Sequence, residues 1–525
     1  PGQAPSHDHD TCVTCPNDQF SLDGTRCLAC PKLDVEGRVV RSYSRGAQCA
    51  NGRLTIKDSF WYNRSEHRAV TAGTVLYRCV SARACRSAPS SSSMRCGEGH
   101  DEATVLCGSC LSKESGGGAQ CDYALQSDGS CVCCASPAVV WLTLLAGLGA
   151  VAWVLSTSLR SALRSAGGEE GEEGEEDRPS DVAAMVAKIG VNYVQTTSLL
   201  AGFDLDWGRS VRYAFSAMGL AGGAVVQAVS LQCVADISYA SRAVVALVGL
   251  PLAIVLGPGV ALLVRRRWLQ GGRPGESLRA RWWASSLVLV WLLYSTIAHE
   301  AFRVVHCVNV EGRRWLRADL RVACEGSEYA AVRGLAVVVI ACVVAGVPLG
   351  LAAGMRRSRS WARSEDVYSF LADPYAARFC WWETTIMLRK AALIAVLSYI
   401  PAEQGDLRVY VGLGVLQVPL LLHAVFLPYR KSAQNRLEGF ALVATFLTLF
   451  VGQAISLEIL PKPEGEGGGD DGDGEGGDGG GGEGGADAGG GVLSSKNVAL
   501  ALVTAVNAGG VVGMMGVVGS SWTRS

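Results

Sequence analysis

Long apolar runs crowd the chain after residue 137, and almost none precede it. A run of about 20 apolar residues crosses a bilayer as a helix. Such runs are Ala138–Leu159, Arg242–Val264, Trp282–Phe302, Gly334–Met355, Thr384–Ile400, Val409–Leu427, Leu437–Leu457 and Val498–Val518. Two adjoining segments, Val182–Phe203 and Arg209–Gln232, are more polar, and parity chooses between them. With the amino-terminal part outside, Arg265-Arg266-Arg267 lies inside, as basic loops do, only if one crossing falls between residues 160 and 241. Val182–Phe203 takes that place, flanked by an acidic loop and by Phe203-Asp204-Leu205-Asp206-Trp207. Arg209–Gln232 then lies in the outer leaflet or re-enters, with Gly219 and Gly223 as close-packing positions. The pattern predicts an all-α polytopic membrane domain of about nine transmembrane helices, carboxyl terminus cytoplasmic.

Residues 1–136 follow another plan. They hold fourteen of the 19 cysteines: Cys12, Cys15, Cys27, Cys30, Cys49, Cys79, Cys85, Cys96, Cys107, Cys110, Cys121, Cys131, Cys133 and Cys134. An even count at this density is a disulfide framework of an oxidising compartment, and cross-links replace the missing core. The rival reading is a zinc ribbon on Cys12, Cys15, Cys27 and Cys30, which have ligand spacing. Asn63-Arg64-Ser65 is a glycosylation sequon, so Asn63 is the expected glycan site. The expectation is a small disulfide-rich, loop and β extracellular domain. Pairing does not follow from spacing. The start at Pro1, without Met or a signal peptide, reads as a fragment or a mature chain.

Composition agrees with a membrane chain. Charged residues are 18% of the 525, against roughly 25% in soluble domains. The formal charge of -1 gives no reason to expect nucleic acid as a partner. The seven His form no zinc-protease pair, and no phosphate loop or nucleophile elbow is present. No enzyme activity, cofactor or metal is therefore expected. Residues 463–491 hold 17 Gly and nine acids without a base, which predicts disorder. The chain divides into the ectodomain 1–136, a first span and acidic loop 137–180, the main membrane domain 181–457, a Gly/acidic loop 458–494 and a last span with tail 495–525.

Ionisable groups inside spans are costly and therefore informative. Lys188, Asn192 and Gln195 fall at i, i+4 and i+7, on one helix face, and could line a hydrated path or form a polar seam. Trp381-Trp382-Glu383, with Arg389 and Lys390 following, reads as an inner-interface pivot with the Trp pair as aromatic anchor. Glu383 and Arg389 lie on different faces. Equal depth points Arg389 to Glu438, and Glu383 to Arg436. His299, Glu300 and Arg303 read as snorkelling groups, and Asn507 as an interhelical hydrogen bond. Cys307 and Cys324 flank an outer basic loop that a disulfide would close.

Cys12-x-x-Cys15-Pro16 and Cys27-x-x-Cys30-Pro31 resemble ephrin-receptor-like cysteine repeats. Ala187 to Gln195, Phe203 to Trp207, Leu231-Gln232-Cys233, His306-Cys307, Trp315 to Cys324, Trp381-Trp382-Glu383, Leu388-Arg389-Lys390, Pro428-Tyr429-Arg430 and Asn435 to Gly439 resemble, in order, the transient-receptor-potential-like membrane domain of unicellular eukaryotes. The resemblance covers most of 182–457. It implies a cation channel or sensory membrane protein, in the plasma or flagellar membrane. The alternative is a non-conducting receptor, adhesion or anchoring protein. Expected partners are the lipid bilayer and an extracellular ligand or matrix held by 1–136, with a homo-oligomer left open.

Overall fold

The computed structural model describes the cysteine-rich part in segments between residues 3 and 134. It describes isolated positions near 136–156, 205–219 and 503–509. It is almost unbroken over 179–203, 239–268, 278–358, 368–400 and 404–457. The acidic loop before residue 179, most of Arg209–Gln232, the loop 458–494 and most of the first and last apolar runs lie outside the described residues.

Helix α1 is Pro179–Leu199. Helix α2 joins Tyr239–Val244, a π turn Val245–Gly249 and Leu250–Trp268. Helix α3 is Leu278–Val305. Helix α4 joins Ser327–Val339, a π segment Ile340–Ala345 and Gly346–Ser358. Helices α5, α6 and α7 are Trp382–Tyr399, Gly405–Phe426 and Ser432–Ser456. Among the described residues, five stretches are long and apolar enough to cross a membrane: Tyr239–Leu263, Arg281–Val305, Ser327–Arg357, Gly405–Phe426 and Ser432–Ser456. The expectation of nine is thus met for five. Helices α1 and α5 form where spans are expected, but α1 carries Lys188, and α5 carries Glu383, Arg389 and Lys390. The chain is mostly helical and suited to membrane integration.

Helix α5 is central. Its residues enter two cores, one shared with α1, α6 and α7, the other with α3 and α4. That explains its composition, since a helix wrapped by protein can keep charges that lipid would not tolerate. Helices α2, α4 and α6 are peripheral. Leu252, Leu256, Val260, Val338, Leu349, Val418, Leu421 and Val425 on them are exposed, as lipid-facing side chains are.

The π segment of α4 is followed by a proline. Pro348 has no N–H to give to the carbonyl four residues earlier, that of Val344. Tyr294 Oη of α3 donates to that carbonyl at 2.8 Å. Neighbouring helices commonly satisfy proline-freed carbonyls in this way.

The cysteine-rich part consists of two-stranded antiparallel hairpins without a larger sheet among the described residues. Disulfides join Cys15–Cys27, Cys79–Cys85, Cys96–Cys107, Cys110–Cys131 and Cys121–Cys133. The Cys15–Cys27 bond removes two of the four thiolates a zinc ribbon would need. A small core gathers Ile56, Trp61, Tyr62, Leu76, Cys85 and Met94. Such a core is slight for its length, and the cross-links make up the difference.

Between α3 and α4 the chain forms a hairpin, Cys307–Val310 against Arg313–Leu316. Its two-residue turn has Glu311 at φ 54° and Gly312 at φ 75°, and positive φ at both positions is what a tight type I′ hairpin needs. Cys307 and Cys324 are joined by a disulfide that closes the loop. Val310 and Leu320 of this loop are buried in the core of the cysteine-rich part, so both regions sit at the same end of the bundle. The linking segments 368–380 and 427–431 sit at the other ends of the helices, tied by Ala376 N–H to Pro428 C=O at 2.8 Å and Arg430 N–H to Pro374 C=O at 3.1 Å.

Candidate functional site: a buried ion-pair network and a docked hairpin

The polar face of α1 meets α5 in register. Lys188 Nζ lies 2.8 Å from Glu383 Oε2. Seven residues further along both helices, Lys390 Nζ donates to Gln195 Oε1 at 2.6 Å, and also to Asn192 Oδ1 at 2.7 Å. Two contacts, each displaced by +7 in the same sense, require α1 and α5 to run parallel. Gln195 Nε2 then donates to Leu292 C=O of α3 at 3.0 Å. Lys188 also donates to Phe370 C=O at 3.1 Å. The hydrated-path reading of Lys188, Asn192 and Gln195 is therefore corrected: all three are buried, and their contacts are packed side chains and backbone.

Arg389 stands about 100° around α5 from Lys390 and faces α7. Its Nη1 is 3.5 Å from Glu438 Oε1, with both side chains buried. Glu383 does not pair with Arg436. It is held by Lys188 and by Tyr375, whose hydroxyl donates to Glu383 Oε2 at 2.9 Å. Tyr429 repeats that role for Glu438 at 3.4 Å, and the two tyrosine rings stand 4.8 Å apart. One chain of contacts thus runs Lys188, Glu383, Tyr375, Tyr429, Glu438, Arg389. Each glutamate has one cation and one phenol. Depth matching missed the tyrosines and the role of Lys188. The signal was present, because Pro374-Tyr375 and Pro428-Tyr429 precede Glu383 and Glu438 by similar spacings, each at the start of a helix.

The Trp pair is not a simple interface belt. Trp382 is buried in the core with Phe379 and Tyr429, and Trp381 packs on Arg356, whose guanidinium lies 5.7 Å from the ring centre. Burial of α5 on most sides takes Trp382 away from the lipid boundary. His299, Glu300 and Arg303 form a local cluster, with Arg303 Nη1 3.1 Å from Glu300 Oε1. Asn507 accepts from Tyr193 Oη at 2.7 Å and donates to Thr448 Oγ1 at 2.9 Å, linking three helical segments.

Within the network three cations, Lys188, Arg389 and Lys390, face two carboxylates. Among the described residues, Lys390 has neutral amide oxygens as its hydrogen-bond partners. Buried charges are stabilised by such contacts only if geometry is maintained, and loss of one partner is expensive. The arrangement fixes how α1, α5 and α7 stand relative to one another. No group of three or more metal-binding side chains occurs among the described residues.

At the other end, the cysteine-rich part grips the hairpin. Asn63 Nδ2 donates to Glu311 Oε2 at 2.8 Å, and Tyr77 Oη accepts from Glu311 N–H at 3.1 Å. Gly108 lies against Leu320 so closely that an added Cβ would stand 2.1 Å from Leu320 Cδ1. The nitrogen that a glycan on Asn63 would use is thus engaged at this contact.

Part of the chain is similar to cysteine repeat modular protein A of Toxoplasma gondii, at 23% identity over 203 residues, covering 34% of this chain. That match spans 6% of the length of the Toxoplasma protein. No family model matches the chain, and no solved structure matches it.

Proposed function

We propose that this chain is a cell-surface sensory membrane protein. The disulfide-stapled part is the receiving element, outside the cell, and the helix bundle responds. One observation carries the reading: Val310 and Leu320 of the α3–α4 loop are buried in the core of the cysteine-rich part. The loop continues directly into α3 and α4 and is closed by Cys307–Cys324. A ligand, matrix contact or tension acting on the cysteine-rich part therefore acts on two membrane helices without a slack linker between. The oxidising compartment that fourteen cysteines imply supports the outside placement.

Cation conduction of the transient-receptor-potential-like kind is the finer form of this reading, resting on the ordered sequence motifs. The polar face of α1 is closed by α3 and α5, so a pore on this plan runs between copies of the chain. The test is to reconstitute the protein with spin labels at residues 279 and 356, on α3 and α4 at the end away from the hairpin. Loading the cysteine-rich part with a rigid antibody fragment should change their separation, and Leu320→Asp should abolish that change. An unchanged separation in the wild type counts against the sensory reading. Bilayer recordings on the same sample decide between a channel and a non-conducting receptor.

A further inference from the structure

An open cleft of about 610 Å³ lies where the hairpin meets α4, lined by Arg314, Cys324, Glu325, Tyr329, Arg333 and Val337 among others. Its volume is in the range of small-ligand sites. Its upper part is charged. Arg314 comes from the hairpin and Arg333 from the second turn of α4, and both are exposed. Among the described residues no carboxylate or carbonyl pairs with either guanidinium. Two guanidiniums from different elements line one cleft, and their like charges invite an anion with several oxygens, because the planar fork binds phosphate oxygens in pairs.

The lower part is apolar. Val337 lies ten residues into α4, about 15 Å below its start, and is 50% exposed. Val338 beside it is 57% exposed, so the cleft opens onto the face that meets hydrocarbon. At Gly334 an added Cβ would meet nothing within 4 Å, so the wall there is vacant. Tyr329 forms the buried floor and is already used, since its hydroxyl donates to Val304 C=O at 3.0 Å. Glu325 at the rim supplies one negative charge beside the two positive ones.

We infer that this cleft holds the phosphate headgroup of a zwitterionic glycerophospholipid, with Arg314 and Arg333 on the phosphate, Glu325 on the ammonium and an acyl chain along Gly334 and Val337. A free phosphate shares the anion chemistry but leaves the apolar wall unused. The inference requires only that α4 lies in a bilayer, and it stands or falls separately from a sensory role.

The test is native mass spectrometry of the full chain in detergent with added phosphatidylcholine, a diacylglycerol of the same chains, or inorganic phosphate. The wild type should retain phosphatidylcholine over diacylglycerol. Losing charge-assisted hydrogen bonds in the double variant Arg314→Gln/Arg333→Gln should lower retention by about tenfold or more. Gly334→Leu begins from a Cβ that meets nothing within 4 Å and extends into the cleft, so it should block retention with thermal unfolding unchanged. Equal retention by the wild type and both variants overturns the inference. So does equal binding of diacylglycerol, which would mean apolar contact alone, or full displacement by inorganic phosphate, which would mean a free anion site.

Discussion

The hydroxyl of Tyr294 on α3 takes the place of a backbone N–H that Pro348 removed from α4, donating to Val344 C=O at 2.8 Å. Replacing Tyr294 with Phe leaves that carbonyl unpaired in a buried setting. The expected loss is about 1 kcal/mol, with 2 as an upper figure for interhelical hydrogen bonds in membranes. Pro348→Ala returns an N–H to the same carbonyl, so it should recover much of the loss in the Tyr294→Phe background. Unfolding in mixed micelles measures both, and additive effects would show that the two residues are not linked.

Arg389 and Glu438 are predicted to behave as one unit. Each single change to Ala strands a buried partner and should cost about 3–5 kcal/mol. The double variant should cost clearly less than the sum. A double-mutant cycle on purified protein checks this, with zero coupling energy as the contrary result.

Gly108→Ala should push the cysteine-rich part off the hairpin, because Leu320 Cδ1 occupies the position of the new methyl group. Hydrogen exchange at residues 308–320 should rise. Adding Leu320→Ala opens room and should restore protection in part. Unchanged exchange in Gly108→Ala would show that the contact does not hold the two parts together.

His306, at the base of the hairpin, has its pKa lowered to about 4 by burial, with Arg317 and Arg408 adding repulsion. It is neutral in the folded protein and gains a proton on unfolding below its ordinary value of 6.5. Its contribution to stability is therefore full above pH 6.5, declines as pH falls towards 4, and levels off below that. His306→Gln should flatten this part of the stability profile. A profile identical to the wild type would refute the assignment.

Glycosylation offers a test of the same contact from outside. Asn63 Nδ2 is bonded to Glu311 in the docked form, so a glycan there should be found only on molecules whose hairpin is released. Separating glycosylated from bare protein and comparing protease cutting near Glu311 would decide it. Equal protection in both would mean the sugar is accommodated.

Much of the helical plan was legible because a bilayer-length apolar run permits few other structures. Five of the expected runs are helices among the described residues, most with limits within a few residues of those expected, the start of α4 lying seven residues earlier. Spacing also revealed one polar face on α1, since positions 188, 192 and 195 must align. What a sequence does not carry is azimuth. Depth alone pointed Arg389 to Glu438, and they lie 3.5 Å apart. Depth alone also pointed Glu383 to Arg436, yet the parallel course of α1 brings Lys188 there at 2.8 Å. Trp382 was misread for the same reason, because an aromatic at a helix start belongs to the lipid boundary only if that helix has a lipid side. The docking of Val310 and Leu320 was hidden because it joins segments far apart in the chain.

The central position of α5 has a bearing on how the chain is made. A helix with Glu383, Arg389 and Lys390 enters hydrocarbon poorly by itself, at about +2.5 to +3.5 kcal/mol for each central charge. Part of its compensation is synthesised first: Lys188 and Asn192 come earlier, the latter 198 residues before Lys390. The partner of Arg389 comes later, on α7. During translation α5 must therefore either wait beside the insertion machinery or sit in the bilayer with one uncompensated arginine until Glu438 emerges. Ribosome release between these two helices would leave an intermediate that quality control can recognise by that unpaired arginine.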